Sequence, residues 1–224
     1  MAFELPDVPS TILDSVESPS VLVFEDRVRQ NIKEMIRVAG GVERLRPHCK
    51  THKMTAVIQL LLDAGIVRHK AATVAEAEML ATAGVKDVAL AYNPVGPNIP
   101  RVVALVQKFP ETDFSVTADH PGPLTRLARA AADAGVSVGV LMDINVGQNR
   151  TGISPDSNEA VELYSLIGSS DGVTCVGFHV YDGHQHQSSA AERTEAVMKE
   201  WPRVLALREK CESSGNSKIL MCER

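Results

Sequence analysis

Five basic side chains lie close together in residues 46–53, within the segment RLRPHCKTHK of residues 44–53. They are Arg46, His48, Lys50, His52 and Lys53. In an extended strand alternate side chains share a face, so Arg46, His48 and Lys50 would point the same way. A lysine crowded by cations and partly removed from water has its ammonium form disfavoured, and the neutral amine condenses with carbonyl groups. The segment therefore predicts Schiff-base chemistry at Lys50, with a basic surface patch as the alternative.

Strands and helices alternate along most of the chain, which gives this segment its setting. Apolar runs predict strands at residues 21–24, 44–50, 67–73, 87–92, 113–118, 136–144, 173–181 and 217–222. Helical periodicity predicts helices at 27–38, with Asp26 as its cap, and at 54–65, 75–84, 98–108, 122–135, 157–168 and 190–214. Such alternation is typical of parallel strands joined by right-handed crossovers.

The predicted fold class is α/β, a (β/α)8 TIM-type barrel in which about seven barrel strands can be counted. A flavodoxin-like or Rossmann sheet is the alternative, weakened because no GxGxxG follows the first strand. In a barrel, chemistry gathers at the carboxyl ends of strands, and Lys50 would close the first one. The basic groups would then face the interior, where unpaired cations are costly, so either anionic partners meet them or the strand lies elsewhere.

Composition limits the kind of partner. The 224 residues carry a net charge of -5 with mixed signs along the chain, which argues against nucleic acid or an anionic membrane. The four cysteines are widely spaced without a CxxC pair, so we expect a reducing cytoplasm and neither a zinc knot nor a disulfide framework. The sequence predicts neither a signal peptide nor a transmembrane helix. A small molecule is the expected partner.

Several segments resemble the D-threonine aldolase and D-serine dehydratase family. These are pyridoxal-phosphate enzymes of fold type III, built on the alanine racemase N-terminal barrel. RPHCKTHK is similar to the family's RPHxKTHK, and SPSVLVFEDRVRQNI to its opening strand and helix. ATVAEAEMLATAGVKDVALAYNPVGP resembles its second and third barrel units, DINVGQNRTGI its DxGxxRxG stretch, and GFHVYDGH its strand ending in YxGH. The resemblance covers most of the chain.

The resemblance implies roles for the residues around the cofactor. Lys50 matches the lysine that binds the cofactor aldehyde, and Arg150 matches the arginine that approaches the phenolic oxygen of pyridoxal 5'-phosphate. Arg46 and His48 match positions that line the barrel beneath the cofactor. An ion pair between Arg150 and an acid such as Asp143 is the structural alternative for that arginine.

Residues at the end of the sixth barrel strand complete the predicted site. Tyr181 is expected to flank the cofactor, and a core tyrosine is the alternative. His184 and His186 follow in a loop over the pocket, where either could shuttle a proton or be a surface histidine. His179 stands where related sequences often carry glutamine, so its role is left open.

The resemblance implies a lyase that acts on D-β-hydroxy amino acids. Retro-aldol cleavage of D-threonine-like substrates to glycine and an aldehyde is the leading reaction, with His186 or His184 serving the hydroxyl. Lys50 is the natural base where the α proton is removed instead. D-serine dehydration to pyruvate and ammonia is the alternative. Racemisation, a non-catalytic pyridoxal-phosphate carrier and an inactive fragment also remain open.

The chain departs from the family at its carboxyl end. The predicted organisation is an N-terminal extension at residues 1–18 and an incomplete barrel at 19–224, without the C-terminal β domain. The family's divalent metal has its ligands in that domain, so we expect none here, and a homodimer only for a complete protein. If residues 1–224 are the whole product, we expect weak cofactor binding and little lyase activity, because the phosphate-binding loop follows the seventh strand.

Overall fold

Local signals in the sequence decide where the helices begin. The computed structural model of the protein describes residues 7–213 and 221–223. Thr73 caps one helix, because its Oγ1 accepts a hydrogen bond from the Glu76 amide at 3.1 Å. His120 caps another through Nδ1, with Pro121 at the first helical position. The helices are α1 (Ser10–Leu13), α2 (Glu25–Ala39), α3 (Thr55–Asp63), α4 (Val74–Thr82), α5 (Asn98–Lys108), α6 (Pro121–Asp133), α7 (Asn158–Ser169) and α8 (Ala190–Ser213).

Within the described residues, six strands form one sheet, and every neighbouring pair is parallel. The strands follow one another in the sheet in the order in which they occur in the chain. This arrangement confirms the predicted alternation of strand and helix. The strands are β1 (Arg68–Ala71), β2 (Asp87–Leu90), β3 (Asp113–Ala118), β4 (Val138–Ile144), β5 (Val173–Val180) and β6 (Met221–Glu223).

One side-chain contact shows that the sheet is strongly curled. Lys70 lies on β1 and His179 on β5, so three strands separate them in the sheet. In a flat sheet that separation would be about 19 Å, since neighbouring strands lie about 4.8 Å apart. The Lys70 Nζ nevertheless lies 3.4 Å from the His179 Nε2. Both side chains therefore point into a shared interior, as in a barrel.

Two predicted elements at the start of the chain differ from the structure. Residues 21–24 form no strand, and 44–50 is not a continuous strand either. Only one isolated parallel bridge, between His48 and Lys70, joins the latter segment to the sheet. Pro47 explains this, because proline has no N–H to donate to a ladder; its carbonyl accepts from the Lys70 amide at 2.9 Å.

The first long helix and the last strand also differ from the predicted boundaries. Asp26 is not the cap of α2 but lies in its first turn, and the N-cap position is Phe24. The predicted strand 217–222 is described only from Met221, and residues 217–220 lie outside the described part of the chain. The division at residue 18 into an extension and a barrel domain stays a prediction.

The core lies between the sheet and the helices around it. Its largest cluster joins residues of all the strands from β1 to β5 with residues of α3 to α8, among them Leu80, Leu127 and Phe178. A second cluster of Ile32, Leu61 and Ile66 fixes α2 against α3. In the described part of the chain, every helix is too short or too polar to cross a bilayer.

Gly172, which precedes β5, tests how closely the helical layer packs against the sheet. It has φ of +80°, and a Cβ there would lie 2.3 Å from the Ala128 carbonyl oxygen of α6. We expect Gly172→Ala to lower the free energy of unfolding by about 2 to 4 kcal/mol, through left-handed strain plus overpacking. Urea unfolding measures this.

Gly84→Ala is the matched control. Gly84 has φ of +95°, but nothing lies within 4 Å of a Cβ built there. Only the conformational strain remains, so the loss should be about 1 kcal/mol. If both variants lose the same free energy of unfolding, the added Cβ at residue 172 is accommodated by α6, and the overpacking contribution is absent.

Candidate active site

Lys50 lies at the carboxyl edge of the sheet, as predicted, but in a different local structure. It occupies a single 3₁₀ turn, Cys49–Thr51, and its backbone N–H donates to the His48 Nδ1 at 3.2 Å. Since His48 pairs in parallel with Lys70, Lys50 lies beyond the end of β1. Its side chain is exposed, so the predicted partial desolvation is wrong. The amine is open to a ligand from the solvent side.

A chain of three polar side chains crosses the interior below this edge. The Lys70 Nζ lies 3.4 Å from the His179 Nε2, and the His179 Nδ1 lies 2.6 Å from the Asp143 Oδ1. All three residues are buried. Asp143 and His179 are direct neighbours on β4 and β5. The carboxylate thus pairs with His179, not with Arg150 as the structural alternative had it.

Arg150 and Tyr181 form a face next to this chain of side chains. The Tyr181 ring lies nearly parallel to the His179 ring, with centroids 6.5 Å apart. The Arg150 guanidinium carbon lies 5.2 Å from the centre of the Tyr181 ring, within the range of a cation–π contact. Asn145 shapes the loop that carries Arg150, because its Oδ1 accepts from the amides of Gly147 and Asn149. The structure therefore brings two of the predicted cofactor residues together.

The two loop histidines have different surroundings. His184 is half-buried, and a Cβ at Gly147 would lie 3.1 Å from its Nε2, so it packs against the loop that carries Arg150. Its Nδ1 is buried without a hydrogen-bond partner among the described residues. His186 is exposed. Of the two, His184 is the one the structure holds beside the site, and the catalytic roles of both stay predictions.

His48 is held neutral by its surroundings. Burial, followed by the positive charges of Lys50 and Lys70, lowers the pKa of His48 to about 4. The unprotonated ring accepts the hydrogen bond from the Lys50 backbone N–H. Near neutral pH this position therefore adds no positive charge beside the exposed amine.

Arg46 has the anionic partner that the sequence predicted. Its NH1 and NH2 lie 2.6 and 2.8 Å from the two carboxylate oxygens of Asp87, the first residue of β2. Such a bidentate pair is both strong and directional. It fixes Arg46 at the amino end of the strands, opposite the edge where Lys50 lies. Contact between Arg46 and a cofactor stays a prediction.

Glu76 is a partner of the basic segment that the sequence did not reveal. Its carboxylate forms an ion pair with Lys53 and accepts from the Ala72 amide at 2.7 Å. Burial alone would raise the pKa of Glu76, but these hydrogen bonds outweigh it and hold that pKa below its usual value. The Cys49 thiol lies 3.8 Å from the same carboxylate.

His48, Cys49 and Glu76 also form a possible metal-ligand set, which the sequence did not predict. One ligand atom of each lies within 4.8 Å of the others. Burial and Glu76 raise the pKa of Cys49 to about 11, so the thiol is protonated near neutral pH. A divalent cation would have to displace Lys53 from Glu76 and deprotonate the thiol. The hydrogen bonds already present account for these groups.

Lys70 and Glu76 are the residues that the sequence-based reasoning missed. Lys70 lies in a predicted strand with buried neighbours on both sides, and a charge in such a strand is the signal that could have identified it. Glu76 lies on α4, where an acidic side chain in the first turn is ordinary. Nothing local marked it as a partner of Lys53.

The depressed pKa of His48 has a consequence for stability. The folded pKa of about 4 lies below the ordinary value of 6.5, so only the unfolded chain gains this proton as the pH falls between the two. The stability that His48 contributes is present above pH 6.5 and lost toward pH 4. Acidification should therefore lower the free energy of unfolding less in His48→Gln than in the unmodified chain. We expect the difference to be about 1 to 2 kcal/mol, allowing for the partial exposure of His48.

Urea unfolding at about pH 7 and about pH 5 measures the difference. His186→Gln, which removes an exposed histidine, is the control and should leave the pH dependence unchanged. A His48→Gln variant with the same acid-induced loss as the unmodified chain would contradict the assigned environment.

The chain is similar to known proteins over most of its length. The family model described as "Alanine racemase, N-terminal domain" matches residues 23–223. D-threonine aldolase from Arthrobacter sp is 31% identical over 211 residues, which cover 92% of this chain and 54% of that protein. The 3-hydroxy-D-aspartate aldolase from Paracoccus denitrificans is 28% identical over 199 residues, covering 86% and 50%.

A solved structure shows the same fold. The crystal structure of D-threonine aldolase from Filomicrobium marinum aligns with a TM-score of 0.82 at 28% identity, covering 92% of this chain and 55% of that one. The chain therefore spans about half the length of these relatives. The predicted resemblance to D-threonine aldolase and the predicted α/β barrel fold are confirmed. The chain belongs to the alanine racemase N-terminal domain family.

Proposed function

We propose that the protein acts as a pyridoxal-phosphate-dependent lyase on D-β-hydroxy amino acids. Retro-aldol cleavage of a D-threonine-like substrate to glycine and an aldehyde is the proposed reaction. The observation that carries the proposal is the exposed Lys50 amine at the carboxyl edge of the sheet, in the same barrel end as the paired Arg150 and Tyr181. The two curated relatives described above, both named as aldolases of D-hydroxy amino acids, support this reaction over others.

The donor groups at this edge fit the cofactor. Pyridoxal 5'-phosphate presents an aldehyde, a phenolic oxygen and a flat ring, and the matching protein groups are an amine, a guanidinium and an aromatic face. Lys50, Arg150 and Tyr181 supply these three. When bound, the cofactor supplies an electron sink for negative charge at the substrate's α carbon.

Each protein group then has a defined task. Lys50 would hold the cofactor through its amine and would supply the proton that the α carbon takes up once the bond between the α and β carbons has broken. Arg150, with a charge fixed at all physiological pH values, stabilises a phenolate oxygen. His48 stays neutral beside Lys50 and so does not add to the repulsion of that amine in its protonated form.

A histidine is the proposed acceptor of the substrate hydroxyl proton. His184 is better held than His186, because it packs against the loop that carries Arg150. Its Nδ1 is buried without a partner among the described residues, and its Nε2 lies 2.9 Å from the Gln185 Nε2, so one ring nitrogen must become exposed before it can meet the substrate hydroxyl. A divalent metal near the substrate hydroxyl belongs to the proposal for a complete protein, as does a homodimer, since this chain spans about half of its relatives.

Borohydride reduction in the presence of pyridoxal 5'-phosphate tests the cofactor site. We expect peptide mapping to find the label on Lys50, because that amine is exposed at the predicted edge. Lys50→Arg should remove the label, whereas Lys53→Arg should keep it. Lys53 is the matched control, three residues away and bound to Glu76. Label on Lys53 in the unmodified chain would overturn the assignment.

Product analysis tests the reaction. With D-threonine we expect equal amounts of glycine and acetaldehyde, and with D-serine little pyruvate, if cleavage between the α and β carbons is the preferred reaction. L-threonine is the control for the stereochemical part of the proposal. Pyruvate and ammonia from D-serine as the main products would replace the aldolase with the D-serine dehydratase alternative.

A further inference from the structure

The proposed function leaves the most deeply buried cation near the site without a task. Lys70 is 6% exposed and lies on β1, directly beside His48. A buried ammonium group is costly unless a partner compensates for it. The chain could have carried a small apolar residue here at no such cost. The arrangement of its partners indicates what the charge does.

The directions of the two hydrogen bonds follow from the chemistry of the groups. The Asp143 carboxylate accepts, so the His179 Nδ1, at 2.6 Å, carries the hydrogen. The other ring nitrogen, Nε2, then has a lone pair facing the Lys70 Nζ at 3.4 Å. An ammonium group has donors only, so Lys70 donates to His179. The proton order is fixed from Lys70 through the ring to Asp143.

The surrounding charges agree with this order. Lys70 and Asp143 lie at opposite ring nitrogens of His179, the first able to donate a hydrogen bond and the second to accept one. The Tyr181 ring lies nearly parallel to the His179 ring, and the Arg150 guanidinium lies over the Tyr181 ring. Hydrogen bonds at both ring nitrogens therefore fix the plane of the His179 ring. Because the Tyr181 ring packs nearly parallel to it, the orientation of His179 also limits the orientation of Tyr181.

We propose that Lys70 is a positioning residue for the cofactor-binding end of the barrel: its ammonium group holds His179 as the Nδ1–H tautomer and so orients Tyr181 beneath Arg150. That this stack meets a cofactor rests on the proposed function. The state of the ring is a property of the chain alone, so the two can be tested separately.

The tautomer is measured on the unmodified chain without cofactor, labelled with ¹⁵N in its histidines. Long-range ¹H–¹⁵N NMR spectra near neutral pH should show His179 with a protonated Nδ1 and a bare Nε2. A protonated Nε2 in this spectrum would overturn the proposal. This measurement does not depend on the folding of any variant.

Lys70→Met then removes the charge while keeping a side chain of similar length. Without the cation, the ring beside Asp143 loses its donor at Nε2, and we expect it to take up the second proton. Both nitrogens of His179 should be protonated near neutral pH. His120, the exposed N-cap residue of α6, serves as the internal control, and its signals should not move. An unchanged His179 ring in Lys70→Met would overturn the proposal.

Cofactor titration, followed by absorbance, tests the link to the site. Lys70→Met should weaken the binding of pyridoxal 5'-phosphate about tenfold, whereas Lys33→Met, which removes one exposed charge from α2, should leave it unchanged. If Lys70→Met and the unmodified chain bind pyridoxal 5'-phosphate equally well, Lys70 is not a positioning residue for the cofactor. Absence of binding by the unmodified chain would instead count against the proposed function, while the NMR result would still decide the role of Lys70 in holding the ring.

Discussion

The interior of the curled sheet holds an ammonium group and a carboxylate, and one imidazole ring satisfies both. Lys70 comes from β1, Asp143 from β4 and His179 from β5, so the three side chains connect opposite sides of the barrel. Removing any of them would leave a buried polar group without its partner, which is the expensive outcome in an apolar interior. These two contacts depend on the curvature of the sheet, and they lie directly beside Tyr181 of the candidate site.

The basic segment is tolerated because a cation near each of its ends has its own acid. Arg46 forms a bidentate pair with Asp87 below the site, and Lys53 pairs with Glu76 beside it. These pairs bind the segment to β2 and α4, in place of the continuous ladder that Pro47 prevents. Side-chain ion pairs thus hold this segment in place, whereas backbone hydrogen bonds hold the strands elsewhere in the sheet.

The regular part of the fold could be predicted from the sequence, since apolar periodicity and caps are local signals. The predicted helix at residues 98–108, for example, has the same bounds in the structure, as α5. The segment around Lys50 could not, because alternation favoured a strand while Pro47 removed a donor. Lys70 and Glu76 escaped prediction because their partners lie far away in the chain. A local pattern can mark a charge as buried, as it does for Lys70, but it does not name the distant residue that pairs with it.

The ion pair between Lys53 and Glu76 also separates two amines that the sequence places almost side by side. The ammonium group of Lys53 is engaged by a carboxylate that is itself held by the Ala72 amide and by Cys49. For the Lys53 amine to attack a carbonyl, its ion pair with the buried Glu76 carboxylate would have to break, which is costly. Lys50 has no such ion pair within the described residues, and its side chain is open to solvent. The fold thereby distinguishes two neighbouring lysines, since one is a counterion and the other is an exposed amine.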